Sequence, residues 1–446
     1  MSALRRHDSI PSAVLLDKVG NWLMRSAIAG DDLETLIRGF CERLAAAGLP
    51  LFRIQLSFSV LHPLYRATGF TWKRGEGLKA ESYRHVEGNQ TDRFTHSPYY
   101  YLLSNKLDHL RRRIDVDGKP EFPIFGELKE MGVTDYLGFV HSFDGQSGQG
   151  MLGSWATDST DGFNDETISA LLNIQNQVAV AAKMAVLGKL ADNMLTTYLG
   201  SDAGKRVLSG QIKRGDGETV RAALVMGDMR DSTVLAEKHG RQVFIETLNQ
   251  FFDTVASPFN RGGGHILSFI GDGFLAVYPC DRHKAASQIA CRAALAAAQL
   301  AEARMSELNR ERRTKGLWEI GYGIGLNVGN VMFGNVGLTD RLAFSVFGSA
   351  VNEVQRLQDV TKKFSANIVG SEAFANYCGG EWQMLGTEKL KGVEKSVKVL
   401  APAASDLTVA EAKELVQRAD QGLSDAEHLV ILHRESQRPL ERLGAR

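Results

Sequence analysis

Two aspartates in this chain sit where short apolar runs stop. Asp228 follows Ala222-Ala223-Leu224-Val225-Met226-Gly227, and Asp272 lies in the Gly271-Asp272-Gly273 turn of GGGHILSFIGDGFLAVY, residues 262–278. Apolar runs of this length beside glycine read as strands, so both carboxylates belong at strand ends. Two carboxylates on adjacent strand ends can hold a pair of divalent cations. A third segment, RLAFSVFGSAVNEVQRL at 341–357, reads as a strand, a glycine turn and a helix. Its Asn352 and Arg356 are four residues apart, hence on one helical face. Carboxylates for metal, with an amide and a guanidinium for developing negative charge, are the parts of a phosphoryl-transfer site.

The hydrophobic pattern supplies the elements that must position these groups. From Arg221 it predicts a strand to Gly227, a helix over Thr233–Asn260, two strands flanking Asp272 and a helix over Lys284–Arg312. Strands at Leu317–Asn327, Val331–Asn335 and Phe344–Phe347 follow, then a helix from Ser349. Mixed β–α–β–β–α–β order with an antiparallel component is an α+β sandwich. Upstream, a helix at Asp31–Ala47 and strands at Phe52–Leu61, Gly69–Lys73 and Gly150–Ala156 predict a separate α+β unit. A long helical pattern then starts at the cap Asn164-Asp165-Glu166 and runs to Leu199, roughly 50 Å at ~1.5 Å per residue. Such a rod cannot bury itself, and its apolar Leu171, Leu172, Ile174, Val178, Val180, Met184, Leu187, Leu190, Met194 and Tyr198 predict a paired helix. The polar, glycine-bearing stretch 200–220 reads as a boundary. The expected division is a tail at 1–20, a first α+β unit at 21–185, a helical linker at 186–219, a second unit at 220–402 and a charged helical tail at 403–446. That tail carries the patterns Val409–Ala419 and Asp425–Glu435, with no assignable chemistry.

With 446 residues the chain is too long for one typical core, which agrees with two folded units. Lysine plus arginine numbers 52 and aspartate plus glutamate 52, a balance that asks for neither nucleic acid nor an anionic membrane. Cys41, Cys280, Cys291 and Cys378 are scattered without C-x-x-C spacing, so no zinc site or disulfide framework is expected and a reducing cytoplasm fits. The apolar run near the basic N-terminus is broken by Asp17 and Lys18, too early for a signal peptide. The alanine-rich stretch 285–303 carries Gln288, Arg292 and Gln299 and reads as an amphipathic surface helix, not a membrane span.

At the residues quoted, from about Arg221 to about Pro402, the chain resembles the class III nucleotidyl cyclases. These convert a nucleoside triphosphate into the 3′,5′-cyclic monophosphate and pyrophosphate. The resemblance implies that Asp228 and Asp272 bind two divalent cations, Mg2+ or Mn2+, with help from the Met229 carbonyl. Asn352 and Arg356 fall on the family's transition-state pair, and GNVMFGNVG at 329–337 on the hairpin after its central strand. In the family the aspartates come from one subunit and the Asn–Arg pair from the other, so a single catalytic core implies a homodimer with two sites. The fold implied is the family's ferredoxin-like-related α/β sandwich. The first unit looks like a GAF-type sensory domain, which implies regulation by a small ligand or a protein signal, and the segment before Arg221 resembles the one that often precedes this catalytic core.

The chain also departs from the family. Where a purine-reading lysine usually stands, four residues before the second aspartate, the chain has Ser268, and the usual partner position holds Ser345. Two hydroxyls can each donate and accept, so they suit the adenine or the guanine edge. ATP is favoured by its frequency as a substrate in the family; GTP, or both purines, is the alternative. A family arginine position falls on Gly323, which leaves Lys391 and Lys398 as candidates for holding phosphate. Asp231 could compete as a ligand, but DMRDST places it better as the cap of the following helix. Gly262-Gly263-Gly264 lacks a following Lys-Ser or Lys-Thr and reads as a turn. His62, His85, His96 and His141 lack metal spacing, and Tyr99-Tyr100-Tyr101 with Trp72 and Phe70 reads as aromatic core rather than a ligand pocket. The rival from another class is a silent cyclase-fold sensor or scaffold, which Ser268 favours and the four retained groups oppose.

Overall fold

Along Arg53–Ser59 buried and half-buried residues alternate, so one strand face carries Ile54, Leu56 and Phe58 into a core and the other carries Arg53, Gln55 and Ser57. The computed structural model of the chain describes residues 12–59, 65–84, 92–114, 120–143, 150–280, 283–389, 396–403 and 407–436. It divides into two units, Met1–Met194 and Leu195–Arg446.

The first unit contains α1 (Ala13–Ala29), α2 (Leu33–Ala46), β1 (Arg53–Ser59), β2 (Tyr65–Lys73), β3 (Gly77–Arg84), α3 (Asp92–Thr95), α4 (Pro98–Ser104), β4 (His109–Arg113), α5 (Pro123–Glu130), β5 (Asp135–Ser142), β6 (Gly150–Thr157) and the start of α6 (Asp165–Leu199). The strands form one antiparallel sheet in the order β3-β2-β1-β6-β5-β4. One face packs Ile54, Leu56, Phe58, Phe70, Trp72 and Trp155 against α1, α2 and the first half of α6. The other is partly covered by α4 and α5 through Leu102, Phe122, Phe125 and Tyr136. Buried Asp135 is compensated by Arg111 at 2.8 Å and by the Phe163 N–H at 3.0 Å, as a buried carboxylate requires. Of the tyrosine run, Tyr100 and Tyr101 are exposed, whereas the Tyr99 hydroxyl donates to Gln55 and reaches Ser154 at 3.1 Å. The aromatic-core expectation therefore holds for Phe70 and Trp72 and is corrected for Tyr100 and Tyr101, while Tyr99 is a polar anchor. His62 and His85 lie outside the described residues. Along α6, Leu171, Ile174, Val178 and Val186 are buried, but Val180, Met184, Leu187 and Tyr198 are exposed.

The second unit contains the end of α6, then α7 (Ser201–Leu208), β7 (Gly217–Met229), α8 (Ser232–His239), α9 (Arg241–Phe251), a π-helical turn (Phe252–Ala256) and α10 (Ser257–Arg261). Next come β8 (His265–Ile270), β9 (Gly273–Cys280), α11 (Lys284–Thr314), β10 (Tyr322–Gly337), β11 (Leu342–Phe347) and α12 (Ser349–Val360). The chain continues through β12 (Ile368–Ser371), α13 (Glu372–Cys378), β13 (Trp382–Glu388), β14 (Val397–Pro402) and α14 (Val409–Ser436). The sheet order is β13-β14-β12-β10-β7-β9-β8, with β11 paired to the far end of β10. β7 lies at its centre with Ala222–Val225 fully buried, so Leu224 and Val225 contribute about 1.5–3 kcal/mol each by burial.

Three expectations change. The helix expected over 233–260 is broken at Gly240, whose φ of 81° lies in the left-handed region, and it continues through a π-helical turn. The strands expected at 317–327 and 331–335 are one strand whose far end bends into the β10–β11 hairpin. The tail patterns are one helix, α14, which covers α11 through Ala412 and Val416. The alanines of α11 face inward, and Ala290, Ala293, Ala294, Ala297, Ala298 and Ala301 let the helix lie close on the sheet. On the opposite face α12 crosses β10 so closely that a Cβ at Gly325 would stand 2.6 Å from the Val354 carbonyl oxygen. No helix among the described residues is long and apolar enough to cross a membrane.

Candidate active site

The two aspartates meet because β7 and β9 are neighbours. Asp228 pairs with Gly273, and the Met229 N–H donates to the Asp272 carbonyl at 3.2 Å. A Cβ at Gly273 would stand 2.9 Å from Asp228 Oδ1, so the Asp228 side chain lies over the start of β9 beside Asp272. Half-burial, then the Asp272 charge and more weakly that of Asp359, push the Asp228 carboxyl up to about 6, against a hydrogen bond from the Met229 N–H. Two carboxylates that repel each other at the lip of a sheet are a donor set suited to a divalent cation, whose charge removes that penalty. Met229 is buried beside them.

The raised Asp228 value has a stability consequence. Because its folded value exceeds the ordinary 3.8, the native state holds an extra proton between about pH 4 and 6, and its contribution to stability declines as pH rises through that window. Asp228→Asn is therefore expected to raise the melting temperature of metal-free protein by a few degrees at about pH 7 and to lose that advantage near pH 4. Equal melting temperatures at both pH values would contradict this electrostatic picture.

Asn352 and Arg356 share the open flank of α12, whose buried side is Ala350, Val354, Leu357 and Gln358. Arg356 is ion-paired with Asp359 at 2.9 Å. The start of α12 is fixed by Asn327, which is buried on β10, donates to the Ala350 carbonyl at 3.1 Å and accepts from the Ser371 hydroxyl at 2.7 Å. The structure thus joins the aspartates to each other and the Asn–Arg pair to each other; no hydrogen bond links the two sets among the described residues.

The remaining expected residues are placed as follows. Ser268 is half-buried on β8, where the pairing with β9 is irregular between Ile266 and Ser268. Ser345 is half-buried on β11 opposite Gly334, and β8 and β11 approach each other. Lys398 on β14 is held by Glu372 at 2.7 Å, and Lys391 lies outside the described residues. A side chain at Gly323 would meet the Thr361 hydroxyl, so this fold leaves no room there for an arginine. Asp231 stands at the N-cap position of α8 without capping it; its carboxylate pairs instead with Lys362 at 2.7 Å, a correction to the cap expectation. Asp359, Lys362 and Asn327 were not foreseen. Only the Arg356–Asp359 pair, three apart on a helix, carried a signal in the sequence. Phe269 and Ile270, each 58% exposed, stand at the end of β8 just before Asp272, and Met332, Leu338, Leu342 and Phe347 are exposed on the β10–β11 hairpin.

Residues 218–399 match the family described as "Adenylate and Guanylate cyclase catalytic domain". This segment belongs to the class III cyclase catalytic-domain family. Among curated relatives, the chain is 29% identical over 171 residues to "Adenylate cyclase 1" of Rhizobium meliloti (strain 1021), covering 37% of this chain and 25% of that protein. It is 29% identical over 192 residues to "Adenylate cyclase" of Anabaena cylindrica, covering 42% of this chain and 36% of that protein. The chain thus spans about a quarter to a third of the length of these relatives. Among solved structures, the guanylyl cyclase Cya2 superposes with a TM-score of 0.37 at 24% identity, covering 43% of this chain and 98% of that one. The cyclase domain lies wholly within the second structural unit.

Proposed function

We propose that the chain is a purine nucleotide cyclase that converts ATP to 3′,5′-cyclic AMP and pyrophosphate at a homodimer interface, under control of its N-terminal unit. The observation that carries the reading is the Asp228–Asp272 pair at the end of the central strands of a cyclase domain. Divalent cations bound there would lower the pKa of the ribose 3′-hydroxyl and neutralise triphosphate charge. The residues themselves supply position and counter-charge. Asp228 and Asp272 hold the metal-binding edge, with the Met229 carbonyl as a further oxygen donor. Arg356, released from Asp359, donates to the α-phosphoryl oxygens as charge accumulates, and Asn352 fixes the ribose. Asn352 is exposed and Arg356 half-buried on the outer flank of α12, and neither is hydrogen-bonded to Asp228 or Asp272 among the described residues, which suits a site completed by a second copy. The exposed Val180, Met184 and Leu187 of α6 suit a paired helix in that dimer. The six-stranded sheet of the first unit supports a GAF-like sensory role.

Incubating purified protein with manganese and each nucleoside triphosphate, and identifying the product, tests the function. Cyclic AMP as the main product is expected; pyrophosphate release without a cyclic nucleotide would overturn the reading. A guanylate or mixed cyclase is the second reading, favoured by Ser268 and Ser345. Hydroxyls discriminate the purines weakly, by ~1–2 kcal/mol. Ser268→Lys is therefore expected to raise the ratio of kcat/KM for ATP over GTP, because a fixed donor suits the adenine ring nitrogen and opposes the guanine N–H. An unchanged ratio in a folded, active variant would mean that Ser268 does not face the base.

A further inference from the structure

β7 pairs with β10 as far as Met229 opposite Tyr322, and beyond that last pair the Arg230 N–H donates to the Gly321 carbonyl at 2.9 Å. The Arg230 side chain then crosses Gly321, where an added Cβ would stand 3.2 Å from Arg230 Cβ and 3.5 Å from its Cδ. One guanidinium nitrogen donates to the Ala366 carbonyl at 2.8 Å. Ala366 is itself held in place. Its N–H donates at 3.0 Å to the carbonyl of buried Thr361, just past α12, and the next residue, Asn367, accepts from the Ile324 N–H at 2.7 Å. Arg230 thus ties the end of β7 both to the start of β10 and to the segment between α12 and β12. Downstream of it the chain has little other hold. Asp231 takes a left-handed φ of 57°, α8 has no fully buried side chain, and the Asp231–Lys362 ion pair is exposed on both sides and contributes little.

We infer that Arg230 is a positioning residue for the metal-binding edge. By tying the strand end to Gly321 and Ala366 it fixes the Asp228 carboxylate and the Met229 carbonyl in the geometry that a divalent cation needs. The inference rests on the metal reading of Asp228 and Asp272. Metal ligands must keep to within about 0.5 Å of their productive positions, and groups that orient them typically govern affinity by about 10–100-fold. Asp228 lies two residues before Arg230 and Met229 directly before it. The Met229 N–H is in turn bonded to the Asp272 carbonyl at 3.2 Å, so movement of this strand end also loosens the turn that carries Asp272. Arg230 Nε is buried without an acceptor, so the tie to Ala366 rests on one nitrogen, and a lysine at this position keeps a donor of nearly the same reach.

The test measures the tie and the metal separately in the full chain. In metal-free protein, amide hydrogen exchange over residues 226–230 is expected to quicken about fivefold in Arg230→Met, which keeps the stem and deletes the donors, and to stay within about twofold of wild type in Arg230→Lys. Manganese binding, followed by the electron spin resonance of free Mn2+, is expected to weaken about tenfold in Arg230→Met and to be largely restored in Arg230→Lys. The half-saturating manganese concentration for turnover should rise by the same factor, while kcat at saturating manganese falls less than about threefold, a split that a general loss of folding does not give. Unchanged exchange in Arg230→Met would overturn the inference. So would wild-type manganese affinity in that variant while Asp228→Asn loses it, or equal losses in Arg230→Met and Arg230→Lys. Wild-type manganese affinity in Asp228→Asn would overturn the metal reading and the inference with it, an outcome told apart by the exchange measurement, which involves no metal.

Discussion

Asp272→Ala protein is expected to stay folded and to lose nucleotide turnover by roughly 10³-fold or more, because metal-derived stabilisation is worth several kcal/mol and each ~1.4 kcal/mol is tenfold in rate. Asp272 sits in the β8–β9 turn and is not a core side chain, so its removal opens no cavity. Asp228→Ala should behave alike, with one difference. Asp228 is the carboxylate carried above its ordinary range by half-burial and by Asp272, so its removal also relieves strain in the metal-free protein. Metal-dependent turnover near wild-type level in either variant would remove these residues from the metal site.

The second large effect belongs to Arg356. Arg356→Ala is expected to lower kcat by about 10²–10³ with a smaller change in KM, because a donor aimed at charge that develops only in the transition state acts on the rate rather than on ground-state binding. Lysine at this position should restore only part of the rate, since a single ammonium cannot reproduce the planar two-point fork. The Asp359 partner makes a further distinction possible. If its ion pair only stores the guanidinium, Asp359→Asn should leave kcat close to wild type, whereas Arg356→Ala cannot be rescued there.

How far the sequence revealed this site depends on the kind of signal each residue carried. Asp228 and Asp272 were legible because an apolar strand followed by a glycine-flanked carboxylate is a local pattern, and the structure brings both to one ladder. Asn352 and Arg356 were legible because helical periodicity fixes a shared face four residues apart. Asp231 was misread because local pattern named a cap while a lysine 131 positions away claimed the carboxylate, a pairing that only the tertiary fold creates. Asn327 was missed for the same reason, since a polar residue inside a strand shows no purpose until Ala350 and Ser371 surround it. Helix 233–260 was drawn unbroken because an isolated glycine is tolerated in a helical pattern, and nothing local reveals that Gly240 takes a positive φ. In the first unit β3, β4 and β5 went unseen. The run His109–Arg113 is mostly charged, and its arginines are needed to compensate Asp135 and Glu121 rather than to build a core.

The central claim is that catalysis needs the aspartates of one chain and the Asn–Arg pair of another. Mixing Asp272→Ala protein with Arg356→Ala protein and measuring cyclic nucleotide formation tests it most directly. In a mixed dimer one site carries both defects and the other neither. A one-to-one mixture of freely exchanging chains should therefore recover roughly a quarter of wild-type activity, from half of the dimers with one of two sites intact. If exchange is demonstrated, for instance by co-purification of differently tagged chains, and activity stays at the level of the separate variants, the shared-site account is contradicted.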